Sequence, residues 1–302
     1  MPAERKQTVA VLGVGHMGSA MARRLAGQGF PLVLYNRTPD RAHELAAELG
    51  AQVAASPAEA AVKADVMITM VADDDALDQL CTAVDGILDG ARPGSVTLQT
   101  STVLPDTVRR LGERFAAKGL GFLDAPVSGS TTLAAAGDLT LMVGGAANDI
   151  EKARPVLDTI GKRIIEMGEV GNGAAVKLAV NTIIMAIDVA VAEALVLAEA
   201  AGVDRARAYD VFAGGAAGAP FVQYKRDAFV DPESTPPAFT LTLAQKDMAL
   251  ILALAERTGT PMAQAEVNLA TLRSAAAELG GERDAAEVAT HLRSRRSQQK
   301  EE

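Results

Sequence analysis

Lys177 and Asn181 stand four residues apart in GNGAAVKLAVNTIIMAIDVAVAEALVLAEAAG, so on a helix they share a face one turn apart. An ammonium and an amide placed in this way can reach the same small molecule. From Lys177 to Ala192 the only other strongly polar residue is Asp188. The competing reading is plain: Lys177 extends to solvent at the helix end, and Asn181 is a satisfied core amide. Two further groups of residues suit anions. Gly13, Gly15 and Gly18 in GVGHMG have the G-x-G-x-x-G spacing, in which backbone N–H groups approach a pyrophosphate. Ser128, Gly129 and Ser130 form a small-residue turn whose amides and hydroxyls can face a carboxylate, although by composition alone it is an ordinary loop.

The elements needed to hold these residues are legible around them. Gly171 and Gly173 open one long helix, about 172–201, and Gly202 closes it. It is apolar on every side, which predicts burial on every side, at a domain junction or a subunit interface. It is short and thrice interrupted for a bilayer span. The glycine turn lies between a β-branched run, TVAVL, and the helical SAMARRLAGQG, as a dinucleotide loop requires; His16 and Met17 lie within it. His16 either touches a phosphate or is a solvated loop residue. The next strand, FPLVLYN, should end beside the adenosine ribose. A carboxylate there would accept from a ribose 2′-hydroxyl, but the chain has Asn36, Arg37 and Thr38. Arg37 offers a fork of donors and Thr38 a hydroxyl, so NADP(H) is expected over NAD(H). Thr38 before Pro39 also suits a helix cap. Strand and helix patterns then alternate through AQVA, VMITMV and SVTLQT, which predicts a Rossmann-type, doubly wound parallel sheet. Val71, Ala72 and Thr102 follow strands at its carboxyl edge. The run Asp73–Asp75 suits a helix cap better than a metal, since consecutive residues diverge on a helix.

At 302 residues the chain is long enough for two domains, here set at 1–168 and 169–302. With 49% hydrophobic and 22% charged residues it has globular composition, and a net charge of −9 without a basic block argues against nucleic acid. Cys81 is alone, so no intrachain disulfide forms, and three scattered histidines give no zinc spacing, so no metal is expected. The N-terminus has no apolar signal segment, and a cytoplasmic location is expected. The second half reads all-helical, broken at AGGAAGAPF and DPESTPPAF, with RSRRSQQKEE expected to be a disordered tail.

Four blocks occur in order: GVGHMGSAMA, DAPVSGSTTLAAAGDLTLMVGG, GEVGNGAAVKLAVN and QKDMALILALA. Together, from about Thr8 to Leu292, they resemble the β-hydroxyacid dehydrogenase family, which contains 3-hydroxyisobutyrate dehydrogenase and tartronate semialdehyde reductase. NRT, VSGS and PPAF…QKD are most similar to its NADPH-dependent glyoxylate/succinic semialdehyde reductases. The resemblance implies that Lys177 is the catalytic lysine and Asn181 its partner. It further implies that Ser128, Gly129 and Ser130 take the substrate carboxylate, Thr102 lies beside the nicotinamide, and Phe239, Lys246 and Asp247 close the site, Lys246 on the cofactor side. Ser130 departs from the second glycine of most members, which loosens any transfer of the hydroxyisobutyrate substrate. The implied reaction moves hydride between the nicotinamide and a small carboxylated aldehyde or hydroxyacid, with Lys177 as general acid and base. A homodimer or dimer of dimers is implied as well. Two other readings stand beside this one: reduction of imines, in which another residue usually replaces the lysine, and a non-catalytic cofactor-binding scaffold.

Overall fold

A computed structural model describes residues 6–298. The chain divides after Lys177 into two compact units.

The first unit alternates strand and helix from its start. In order it runs β1 (Val9–Leu12), α1 (His16–Gly27), β2 (Leu32–Tyr35), α2 (Pro39–Leu49), β3 (Gln52–Val53), α3 (Pro57–Lys63), β4 (Val66–Thr69), α4 (Asp74–Thr82) and α5 (Ile87–Gly90). There follow β5 (Val96–Gln99), α6 (Pro105–Ala117), β6 (Gly121–Asp124), β7 (Val127–Ser128), α7 (Thr131–Ala136), β8 (Leu139–Gly144), α8 (Ala147–Ile160) and β9 (Gly161–Gly168). The strands lie in the order β3-β2-β1-β4-β5-β6-β8-β7, with β9 also paired to β8. Strands β1 to β6 are parallel; β8 turns antiparallel to β6 and β7 and parallel to β9. The expected doubly wound parallel sheet is therefore present, with a mixed edge beyond β6.

Its strands are continuous apolar runs because both faces are covered. Val9 and Val11 belong to one core with α1, α2 and α8, while Ala10 and Leu12 point into the other with α3 to α6. Caps fix where helices begin. The Ser56 hydroxyl accepts from Glu59 N at 3.1 Å while the Glu59 carboxylate accepts from Ala55 N at 2.7 Å, a reciprocal arrangement that starts α3. Asp73 caps α4 through Ala76 N at 2.8 Å, the role expected of that acidic run. Thr38 occupies the cap position of α2, but its side chain makes no capping bond.

The long helix, α9 (Asn172–Ala200), matches its expected span. The second unit continues with α10 (Arg205–Gly214), α11 (Pro220–Tyr224), α12 (Arg226–Val230), α13 (Leu241–Thr258), α14 (Ala263–Leu279), a 3₁₀ turn (Ala285–Glu287) and α15 (Val288–Gln298). Burial of α9 on every side is not achieved by this chain: Ile183 is 61% and Leu197 72% exposed. The tail after Leu292 also differs from expectation. Helix α15 carries it to Gln298, anchored by Arg293 on Glu199 at 2.6 Å, and only its last four residues lie outside the described range. Among the described residues no helix is long and apolar enough to cross a membrane.

Candidate active site

The glycine loop between β1 and α1 shows why each glycine is where it is. Gly13 has φ +101°, and a Cβ there would stand 2.1 Å from Met70 O. At Gly18 a Cβ would stand 1.9 Å from Gly13 O, so this residue lets helix and loop close up. Gly15 differs, with nothing within 4 Å of its notional Cβ. The open space over Gly15 is where a pyrophosphate can meet the start of α1, so these residues fit a dinucleotide.

A pocket of about 460 Å³ extends from that loop, lined among others by Gly13, Gly15, Asn36, Arg37, Thr38, Val71 and Ala72. Sequence reasoning chose all of these. It missed Arg41, which lines the same pocket from the first turn of α2. The available signal was its place in the first turn of the helix that directly follows the ribose-side residues. Asn36 has a structural role: its Oδ1 accepts from Val14 N at 3.1 Å and its Nδ2 donates to Thr38 O at 3.0 Å. That ties the glycine loop to the end of β2 and leaves Arg37, Thr38 and Arg41 as the donor-bearing side chains at this end of the pocket. His16 lines an adjoining groove with Arg23 and Arg41, and Met17 packs on the core. Opposite the glycine loop, the Ser101 hydroxyl accepts from Val71 N at 2.9 Å, which fixes the β4 loop and leads directly to Thr102. No cluster of three or more metal-ligating side chains exists among the described residues.

Beyond β6 the chain turns through Ser128, Gly129 and Ser130. Gly129 has φ +142°, and a Cβ there would press within 2.9 Å of Leu139 Cδ2, so the turn needs glycine twice over. The Ser130 hydroxyl is engaged as the cap of α7, accepting from Leu133 N at 3.2 Å, which leaves its amide for an anion. Lys177 ends the first unit, in the second turn of α9.

In the second unit Asn181 is buried, and its amide donates to Asp247 Oδ2 at 2.6 Å. The other Asp247 oxygen lies 2.6 Å from Lys246 Nζ. Among the described residues that oxygen, though buried, has no hydrogen bond, so the ion pair is what meets it, and the direct effect of Asp247 is to fix the orientation of Asn181 through Oδ2. Phe239 is placed by a residue that the sequence did not single out. Buried Asp284 accepts from Ala238 N at 2.9 Å and Phe239 N at 3.3 Å, and its other oxygen takes Lys225 Nζ at 2.6 Å. Burial pushes the Asp284 carboxyl up, but Lys225 and the amide donors outweigh it and hold its pKa below the usual range.

Residues 8–168 match the NAD-binding domain of 6-phosphogluconate dehydrogenase, and residues 171–292 match the NAD-binding region of NADP-dependent 3-hydroxyisobutyrate dehydrogenase. The chain belongs to the β-hydroxyacid dehydrogenase family. Glyoxylate/succinic semialdehyde reductase 1 of Arabidopsis thaliana is 34% identical, over 84% of this chain and 87% of that protein. An uncharacterised oxidoreductase of Synechocystis is 36% identical over 84% of this chain and 87% of its own length. The crystal structure of a 3-hydroxyisobutyrate dehydrogenase from Salmonella typhimurium superposes with a TM-score of 0.87 at 27% identity, covering 94% of this chain and 99% of that one. As a family member, this β-hydroxyacid dehydrogenase is an oxidoreductase that uses a nicotinamide cofactor.

Proposed function

We propose that the protein is an NADPH-dependent reductase of short carboxylated aldehydes, with glyoxylate and succinic semialdehyde as first candidates, and that it oxidises the matching hydroxyacids in reverse. The observation that carries this reading is the β2 end of the cofactor pocket. No carboxylate stands there to bind a ribose 2′-hydroxyl, and the Arg37, Thr38 and Arg41 side chains line it instead. The likeness to the Arabidopsis reductase supports the substrate class.

When bound, the nicotinamide supplies the hydride. The chain's residues must anchor the substrate and handle the charge that hydride arrival creates on oxygen. Ser128 and the amides of Gly129 and Ser130 anchor the carboxylate. Lys177, as an ammonium, stabilises the developing alkoxide and passes it a proton from Nζ. Asn181, fixed by Asp247, orients the substrate or the lysine. Phe239 and Asp247 are assigned to the substrate side, and Thr102 and Lys246 to the nicotinamide side, on family likeness. Gly13, Gly15, His16, Met17, Gly18, Asn36, Val71 and Ala72 form or support the cofactor cleft. In this reading, residues 1–168 bind cofactor, while 169–302 complete the substrate site and pair two copies. The enzyme works in the cytoplasm, where buried Cys81 stays a thiol, its pKa pushed up to about 12 by burial.

The test is NADPH oxidation, with NADH in parallel, against glyoxylate, succinic semialdehyde, tartronate semialdehyde, methylmalonate semialdehyde and a cyclic imine. Turnover of a carboxylated aldehyde with NADPH is expected. In Lys177→Ala it should fall by about 10³-fold or more with NADPH affinity retained, since the lysine is asked for both charge and proton. Near-native turnover in that variant removes Lys177 from the mechanism. Reaction with the imine alone would overturn the substrate class, and binding without any turnover would favour the scaffold.

A further inference from the structure

Asp124 is the last residue of β6, completely buried, and assigned no part in the chemistry above. Its Oδ2 accepts from Gly171 N at 3.0 Å and Ala174 N at 2.8 Å. Those amides, 47 and 50 residues later in the chain, flank the start of α9. The first amides of a helix have no partner within it, so a carboxylate from the sheet here serves as the missing cap and also meets the positive end of the helix. The fit is close. A Cβ on Gly173 would come within 3.0 Å of both the Asp124 backbone oxygen and Oδ2, which is why the helix opens with small residues. Three residues beyond Ala174 stands Lys177; four residues beyond Asp124 stands Ser128.

We propose that Asp124 is a positioning residue: by capping α9 from the end of β6 it sets the register of Lys177 against the carboxylate-binding turn at Ser128–Ser130. This rests on the proposed roles of Lys177 and that turn. A cap made from within α9 would start the helix but would leave it free to shift against the sheet. Asp124 does both, because its backbone is pinned in the ladder between Gln99 on β5 and Gly144 on β8 while its side chain grips the helix.

The device is also sensitive to protons. Asp124 Oδ1 is buried without a hydrogen-bond partner. Burial pushes the pKa up to about 6, against the amides of Ala174, Gly171 and Gly173 and the charge of Arg109. Strands β5 and β8, which flank it, carry no ionisable side chain; Arg109 faces it from α6, and Glu169 and Lys177 lie on the segment it caps. The proton goes to the unpartnered Oδ1, which removes the charge that complements the helix end and leaves Oδ2 a neutral, weaker acceptor for the two amides. With Asp124 kept buried, the amides favour its ionised form, so their hold on the turn that bears Lys177 weakens as pH falls through about 6; against an exposed carboxyl, whose pKa is lower, the same protonation does not destabilise the whole fold.

The experiment is the pH dependence of kcat and KM from pH 5 to 8 for wild type, Asp124→Asn, Asp124→Ala and Lys177→Ala, with NADPH and either glyoxylate or succinic semialdehyde. Hydrogen exchange of the 171–178 amides is measured on the same proteins. Asp124→Asn keeps an acceptor but cannot ionise, so it mimics the protonated state. Its kcat should be about 10- to 100-fold below wild type at pH 8. It should match wild type at the acid end and lack the wild-type limb near pH 6, while NADPH affinity is unchanged. Lower protection of the 171–178 amides, relative to their intrinsic exchange at the same pH, is expected in this variant, and in wild type at pH 5. Wild-type kcat, pH limb and exchange in Asp124→Asn would overturn the proposal, whether or not Asp124→Ala folds. If Lys177→Ala retains turnover, the underlying reading fails and the proposal with it. If Lys177→Ala is dead and Asp124→Asn is normal, only the role of Asp124 is wrong.

Discussion

The three glycines of the cofactor loop look alike in sequence and differ sharply in what surrounds them. Gly18 is packed against Gly13 O, so Gly18→Ala must push the helix off the loop, whereas Gly15 faces open space at φ −68° and admits a methyl group without strain. Gly18→Ala should therefore destabilise the protein by about 1–3 kcal/mol, the usual range for overpacking. Gly15→Ala should unfold like wild type and lose NADPH affinity, because its methyl occupies the space left for the pyrophosphate. Urea unfolding and fluorescence titration with NADPH separate the two. A Gly15→Ala protein that binds NADPH normally would show that the pyrophosphate lies elsewhere. At this scale the sequence was legible wherever a residue type has one strong use: the glycine spacing, the Asp73 cap and the missing carboxylate at Asn36 were all readable. Asp124 and Asp284 were not, because their value comes from amides about 46 to 50 residues distant, and sequence spacing says nothing about such partners.

Helix α9 and the segment before α13 show how elements carry that placement. The span of α9 could be read from its flanking glycines and the absence of internal breakers. What fixes the 236–241 segment could not, since DPESTPPAF reads only as a Pro-rich break. The structure hangs it on the turn at 281–287: Asp284 takes the amides of Ala238 and Phe239, Phe239 O accepts from Ala285 N at 2.9 Å, and Leu241 N donates to Arg283 O at 2.8 Å. Lys225 completes the clamp as one half of a buried ion pair, with side chains 5% and 4% exposed. Asp284→Ala leaves that ammonium buried and the amides of Ala238, Phe239 and Ala286 without their acceptor, and should cost about 3–5 kcal/mol. Lys225→Met leaves Asp284 with its amide donors and should cost less. Equal losses in urea unfolding would mean that the ion pair, and not the amide clamp, carries the segment.

At the scale of the whole molecule, the single chain meets one sequence expectation only in part. An all-round apolar helix should be covered on every side, yet α9 leaves Val176, Ile183, Ala190 and Leu197 exposed in the single chain. These positions recur every seven residues, the spacing at which one helix keeps a seam facing a partner. The other side of α9 behaves as expected, with Leu178, Met185, Ala192 and Leu195 buried. The apolar seam fits a second copy of the chain, as a self-complementary surface that two-fold pairing would cover. The four heptad residues are neutral and apolar, and exposed Glu193 lies beside them on the same face. A glutamate at Ile183 would place two carboxylates in a dry, symmetric contact, where burying even one unpaired charge is prohibitive. Ile183→Glu should therefore sediment as a monomer at concentrations where wild type is dimeric or larger. NADPH binding should survive, since Gly15, Arg37 and Arg41 all lie in the first unit and depend on its own sheet. Sedimentation velocity decides it: a variant that keeps the wild-type mass would place the subunit contact on another face and leave this seam exposed in solution.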